Sequence, residues 1–596
     1  MAEILSRQYQ GAFSTPLDST TPIPARVFDN FFEDLEIKKE AIVAAMKDIK
    51  STSAPGPDDL PAFFYNTYAE AIAPAVVRIW RRSMDTSTMP EGTLTSIITP
   101  IHKGGDKGEA ANYRPIALTN HLVKVFERVM RQAIVDHLES HDLMNKTQHG
   151  YQKGRSTMTL LLEYYDSILT MLEKGQDVDV IYLDLAKAFD KVDHDILLKK
   201  IFQFGIRGKV YMWLKEFLKN RKQQVRVDGH LSELVWVVSG VPQGSVLGPL
   251  LFIIMLFDIN DPVKMALLGS YADDTKLWQI AHRHDEIQND VLNICSWVHQ
   301  NNMKLNNGKF EHLHVGKDKN IEPYLADNDE EISLKRHIKD LGIYISSDFS
   351  FDHHINNMVG KAETVSAWIL RTFQTRDKFP MGTLLRSLLV PTLEYGCMLW
   401  NPNKSKLRIL IENVQRKFTS RISQFNIMNE ETGLHTCNVD YWERLRQLKI
   451  YSLERRRERY IIIFMYKIIT ELYPNPGIDL GGITLNDRQG TKIPYKFNPK
   501  APEWVQNLRT ASFFSKGPRL LETVLPYIGG VASLTGTPDV NKFKAELDKL
   551  LVTIPDQPTV PGLTCPALSN SILDQIRNRT PTTNAETAPT PNVDTQ

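Results

Sequence analysis

The feature that most limits the fold is a pair of apolar runs joined at Ala272-Asp273-Asp274, in the stretch KMALLGSYADDTKLWQI over 264–280. Two short runs of this kind with a polar joint predict a β-hairpin with acidic residues at its tip. Adjacent carboxylates repel unless a cation sits between them. A solvated acidic turn would account for an Asp-Asp pair alone. Here Met265, Leu267, Leu268, Leu277 and Trp278 flank the pair, so the hairpin reads as embedded in a core.

A second run, VDVIYLDL (178–185), is β-branched and aromatic with no breaker, and predicts a buried central strand that ends on Asp184. Asp184 alone would read as a helix cap. Beside the hairpin it completes a set of three carboxylates from two neighbouring strands. Asp184, Asp273 and Asp274 would suit two Mg²⁺ ions about 3.5–4 Å apart, hard cations that take few protein ligands and several phosphate oxygens. The turn Gly240-Val241-Pro242-Gln243-Gly244-Ser245 follows a strand and puts backbone N–H groups and an amide into a cleft.

The 596 residues exceed one compact core, so about two to four domains or lobes are expected. Helical periodicity runs over 37–49, 60–84, 122–141 and 157–174, and β-like patterning over 94–118 and 223–240. From Phe351 onward the chain reads as mostly helical, and after Pro555 as a Pro/Thr-rich tail. The four cysteines, Cys295, Cys397, Cys437 and Cys565, show no CxxC or knuckle spacing, which excludes a disulfide framework and a zinc module. The N-terminus has no apolar signal core, and the run Leu250 to Phe257 is too short to cross a bilayer. A soluble intracellular protein with no membrane partner is expected. Net charge is +1, so any nucleic-acid face must be local. Residues 404–426 hold six cations against Glu412, and 442–459 hold seven against three glutamates. Both stretches read as helices that could hold a nucleic-acid backbone.

The order of blocks now carries a resemblance. APGPDDLP (54–61), ITPIHKGGD (98–106), NYRPIAL (112–118), HGYQKGRST (149–157), YLDLAKAFDKVDH (182–194), GVPQGSVLGPLLF (240–252), YADDTKL (271–277), LNNGK (305–309) and DLGIYI (340–345) occur in sequence. LLVPTLEYGCMLWNP (388–402) and SLERRRER (452–459) follow. This pattern resembles the reverse transcriptases of non-LTR (LINE-type) retrotransposons, of the jockey-like and chicken-repeat-like groups, over roughly residues 1–560. The resemblance implies an α+β right-hand polymerase with fingers, a palm bearing a small antiparallel sheet, and a thumb, followed by a mostly helical C-terminal region. Boundaries are expected as an irregular lead-in at 1–36, fingers and palm at 37–345 with the core domain from about 84, a thumb with basic helices at 346–430, a helical extension at 431–555, and a disordered tail at 556–596.

It also implies roles. Asp184, Asp273 and Asp274 would be catalytic metal ligands, completed by the backbone carbonyl of Leu185. The ions would be two Mg²⁺, with Mn²⁺ as a substitute. Lys103 and Arg114 would contact the incoming triphosphate, Phe189 would disfavour a 2′-hydroxyl, Gln243 and Gly244 would line the nucleotide pocket, and Lys309 would protonate pyrophosphate. Tyr271, Leu341, Gly342, Lys404, Arg408, Arg416 and Lys417 would touch primer or template. Partners would be an RNA template, a DNA primer, dNTPs and a separate endonuclease, since no endonuclease domain is expected in this chain. Action in the nucleus after a cytoplasmic ribonucleoprotein stage follows from the same likeness. Two positions depart from the pattern: Gln152 stands where arginine is usual, and Asp258 where tyrosine is common. Rival readings are an RNA-templated RNA polymerase, against which Phe189 speaks, and an inactive RNA-binding derivative.

Overall fold

The computed structural model describes residues 1–15, 30–428, 435–483, 492–529, 534, 537–557 and 570–577. The chain divides into two compact units. The first is Met1–Ser156, Asp179–His312 and Asn320–Leu334; the second is Thr157–Val178, Leu313–Lys319 and Lys335–Gln596.

In chain order the strands of the two larger sheets and of the hairpin after them are β1 (Thr95–His102), β2 (Tyr113–Leu118), β3 (Val178–Leu183), β4 (Lys222–Val227), β5 (His230–Leu231), β6 (Val235–Trp236), β7 (Leu267–Tyr271), β8 (Asp274–Ile280), β9 (Glu311–Val315), β10 (Ser333–Leu334), β11 (His337–Asp340) and β12 (Ile343–Ser346). One sheet has the order β2-β1-β4-β5, with β6 also on β4. Here β1 runs antiparallel to β2 and parallel to β4. The other has the order β10-β9-β3-β8-β7, which puts β3 in the middle. That position explains its composition: Val178, Val180 and Ile181 are covered on both faces, as a central strand requires. The outer pair β9 and β10 is parallel.

Helices Lys39–Lys47, Ala69–Thr86, His121–Ser140 and Gly208–Lys219 build the core of the first unit. Trp80 is fully buried, stacks on Phe126 at 4.5 Å and meets Trp213 edge-on at 6.3 Å. The lead-in expected to be irregular opens instead with helix Ala2–Gln10. Leu5 and Tyr9, four apart and so on one helical face, cover Ile98, Ala117 and Val225 of the first sheet. Charge at the departed position is also answered: Asp258 accepts from Lys200 Nζ at 2.6 Å, and that buried ammonium lies 4.8 Å from the Trp297 ring centre.

Among its described residues the second unit is mostly helical, with short strand pairs such as the β11–β12 hairpin. Its helix Thr157–Leu172, early in sequence, is tied to helix Glu503–Ala511 through Arg509. This fully buried guanidinium donates to Glu173 Oε1 at 2.7 Å and to Asp166. Of the expected disordered tail, most lies outside the described residues. Within it, however, Ile572–Arg577 is helical, because the N–H groups of Asn570 and Ile572 are accepted by Glu454 and Glu458 of helix Leu453–Ile469. No helix among the described residues is long and apolar enough to cross a membrane.

Arg509→Ala would take from half-buried Glu173 its cation and leave buried Asp166 with Lys496 alone. It is expected to destabilise the second unit by about 3–5 kcal/mol, read as a lower midpoint in chemical unfolding, with Arg509→Lys recovering part of the loss.

Candidate active site

β3 ends at Leu183 and delivers Asp184 just beyond it, where a loop from far down the chain receives it. Leu185 bridges Leu305, the N–H of Ala186 donates to the carbonyl of Lys304, and the N–H of Asn306 donates to the carbonyl of Asp184. This backbone register brings the LNNGK side chains onto one oxygen. Asn306 Nδ2 and Lys309 Nζ both donate to Asp184 Oδ2, at 2.8 and 3.2 Å. Lys309 is therefore a partner of the carboxylate and not merely a solvated loop cation.

The β7–β8 hairpin pairs Tyr271 with Asp274 and leaves Ala272 and Asp273 as its two-residue tip, with Ala272 at φ +57°. Gln148 fixes this tip. Its buried amide donates to the Ala272 carbonyl at 3.0 Å and accepts from the Ala272 N–H at 2.8 Å and the Gly150 N–H at 2.7 Å. Gly150 is required: a Cβ there would lie 2.5 Å from the Ala272 nitrogen. Burial pushes the Asp273 carboxyl above the usual carboxylate range, its own backbone pulls it down, and the charge of Asp184 pushes it up again; Arg114 and Lys309 pull it down. Four residues named from sequence thus act on one another. Asp274 is exposed at the start of β8, and Tyr271 is half-buried.

Phe189 is also half-buried. Its ring stacks on Phe252 at 4.1 Å and meets Tyr151 edge-on at 6.2 Å. The Pro-Gln-Gly turn docks beside it. Gln243 Nε2 donates to Asp190 Oδ1 at 2.9 Å, and the Gln243 carbonyl accepts from the Ala117 N–H at 2.7 Å. Gly244, at φ +132°, lets the turn lie on β2, since a Cβ would stand 2.4 Å from the Ala117 oxygen. Behind the turn, fully buried Glu127 accepts from the N–H groups of Val246 and Leu247 at 2.7 and 2.8 Å. Arg114 on β2 faces Ile101 of β1, and Lys103 follows β1; both side chains are exposed.

Sequence reasoning missed Gln148, Gly150, Glu127, Asp190 and Asn306 as supports of this site. Gln148 falls just outside the HGYQKGRST block and Glu127 between blocks, so only Gly150, Asp190 and Asn306 carried any signal. Gln152 spends its amide within its own loop, on the Asn145 carbonyl at 3.0 Å.

The remaining named residues lie in the second unit. Leu341 (φ +45°) and Gly342 (φ +91°) form the β11–β12 turn, and the Tyr395 hydroxyl donates to the Leu341 carbonyl at 2.8 Å. Lys404 pairs with Asp352 at 2.7 Å, Lys417 with Glu363 at 3.0 Å and Arg408 with Glu454 at 3.5 Å. Arg416 lies 4.3 Å over the Tyr441 ring. The expectation of a basic outer face at 442–459 fails for its arginine-rich half. Arg455 and Arg457 are fully buried, Arg456 pairs with Glu394 and Arg459 with Asp548. Their helix, Leu453–Ile469, is covered on several sides: Glu394 and Asp548 meet Arg456 and Arg459, the carbonyls of Ile554 and Pro555 accept from Arg455, and Asn401 accepts from Arg457.

Among the described residues no three His, Cys, Asp or Glu side chains form a metal-binding group. The donors at hand are oxygens from Asp184 and Asp273, a set that fits a hard cation whose other ligands come from water and substrate.

Residues 101–345 match the family model of reverse transcriptase (RNA-dependent DNA polymerase). The chain is 28% identical to a probable RNA-directed DNA polymerase from transposon X-element of Drosophila melanogaster, over 57% of this chain and 38% of that protein. It is 26% identical to the RNA-directed DNA polymerase from mobile element jockey of the same species, over 71% and 46%. For a probable RNA-directed DNA polymerase from transposon BS the identity is 25%, over 74% and 51%. The chain thus spans about half or less of the length of these relatives.

Gly150→Ala is expected to displace the hairpin tip. Hydrogen exchange at the Ala272 amide should accelerate, and stability should fall by about 1–3 kcal/mol.

Proposed function

We propose, on the premise that residues 101–345 are a reverse transcriptase domain in a chain of the jockey-like non-LTR retrotransposon kind, that it copies RNA into DNA on a primer. The observation that carries this reading is the convergence of Asp184 and Asp273, each in the other's field, with Lys309 and Arg114 acting on the same point. Mutually repelling carboxylates in a partly dry place are suited to a divalent cation.

Asp184, Asp273 and Asp274, with the Leu185 carbonyl, would hold two Mg²⁺ ions, for which Mn²⁺ could substitute. When bound, the ions would lower the pKa of the primer hydroxyl and neutralise charge on the leaving group. The primer 3′-oxygen attacks the α-phosphorus of a dNTP, the bond to the β-phosphate oxygen breaks, and pyrophosphate leaves. Lys103, exposed just after β1, and Arg114, exposed on β2, would bind the triphosphate, the guanidinium in bidentate fashion. Lys309, given up by Asp184 as a cation enters, would be free to protonate pyrophosphate. Phe189, braced by Phe252, would stand against the sugar and exclude a 2′-hydroxyl, while Gln243 and Gly244 shape the pocket. Tyr271 and the Leu341-Gly342 turn would bear on the primer; Lys404, Arg408 and Lys417, by exchanging their present carboxylate partners, and Arg416, by leaving the Tyr441 ring, would bear on the template–primer backbone. The nick that supplies a primer would come from an endonuclease acting in the nucleus, after an RNA-bound stage in the cytoplasm.

Primer extension on an RNA template tests this. Asp273→Asn is expected to reduce Mg²⁺-dependent extension by roughly 10²–10³-fold while leaving the circular dichroism spectrum unchanged. A variant that extends as well as the parent would sink the metal assignment. Phe189→Ala is expected to relax the preference for dNTP over NTP by about tenfold, measured as the ratio of kcat/KM values. Equal use of both nucleotides by the parent chain would favour an RNA-polymerase reading instead.

A further inference from the structure

The second unit contains a cavity of about 550 Å³, within the roughly 300–1,000 Å³ range of small-ligand pockets. Helix Glu503–Ala511 forms one wall and presents Trp504, Asn507 and Leu508, spaced three and four apart on one face. The facing walls bring Trp400, Phe351 and Tyr165.

These rings are held in place from behind. Tyr165 stacks on Phe349 at 4.4 Å and 14° and meets Phe351 at 5.4 Å. The Trp400 indole N–H donates to the Tyr395 carbonyl at 2.7 Å. Polar groups lie at the edges of this aromatic space. Asn401, 4% exposed, has its amide oxygen accepting from Arg457 at 3.0 Å, yet its amide nitrogen is buried with no acceptor among the described residues. The Asn507 side chain is exposed at the opening. Lys404 stands there too, held by Asp352 in an ion pair open to solvent and so readily exchanged.

Flat apolar faces, amide edges and a cation at the rim are the requirements of one unstacked nucleobase with its phosphate. An aliphatic or lipid tail would cover the faces but leave the Asn401 amide nitrogen unpaired. We propose that this cavity binds a base of single-stranded RNA, with the ring against Trp504 and the backbone phosphate at Lys404. The choice of RNA rests on the polymerase reading above.

The test uses the full chain and a 12-nucleotide single-stranded RNA carrying 2-aminopurine at one position after another. The parent should quench 2-aminopurine by stacking. Trp504→Ala should weaken binding roughly tenfold and abolish the quench, while Trp504→Phe keeps most of both. Asn507→Leu, at an exposed position, should weaken the same strand without lowering the thermal midpoint, and a blunt duplex of the same sequence should be bound equally by all variants. Binding by Trp504→Ala within twofold of the parent, an unchanged quench, or an equal loss for the duplex would overturn the proposal. A chain that binds the strand through Trp504 but extends no primer would sink the polymerase reading and leave this pocket standing. Extension with Trp504-independent binding would do the reverse.

Discussion

Two carboxylates, Asp184 and Asp273, are carried into each other's field by strands whose neighbouring side chains are buried. Repulsion in such a place is only partly relieved by water, so the surrounding chain supplies both geometry and counter-charge. It does so by long-range backbone pairing. Residues 304–306 lie along 184–186, and Gln148 grips both polar groups of Ala272. The same logic extends outward: Asp190 holds Gln243, and Glu127 holds the N–H groups that follow it. The Gln148 and Glu127 supports are internal hydrogen bonds to backbone, which fix a position more rigidly than a contact between two flexible side chains such as Asp190 and Gln243.

What could be read in the sequence follows from locality. The β3 strand and the hairpin were legible because a central strand must be apolar on both faces and a tight hairpin needs a polar joint. Asp184, Asp273, Arg114 and Lys309 were named from motifs, and the fold makes them act on one another. Gln148 and Glu127 were not legible, because an amide or carboxylate that caps backbone more than a hundred residues away leaves no mark on its own neighbourhood. Helix Ala2–Gln10 was passed over for a related reason: its apolar face is only Leu5 and Tyr9 against a sheet that forms later in sequence.

The arginine-rich segment shows where composition misleads. A run such as SLERRRER reads as a surface for phosphates, yet Arg455 and Arg457 are fully buried, and Arg456 and Arg459 meet Glu394 and Asp548. Counting charge cannot separate a solvated face from an internal network, since the partners come from other helices. Buried pairs of this kind add little net stability over apolar packing, but they penalise any misaligned arrangement that leaves one charge alone. Their role in the helical unit is therefore better described as alignment than as strength.

The supports of the hairpin tip and of Asp184 also set an order of events. Gln148 precedes Ala272 by 124 residues, and Lys309 follows Asp184 by 125. During synthesis at the ribosome, β3 and its carboxylate emerge long before either the hairpin or the loop that answers it. The site therefore has no local nucleus. It assembles as a late, cooperative event once the chain has been made through Lys309, so a product released earlier would hold every upstream motif and still lack a working centre.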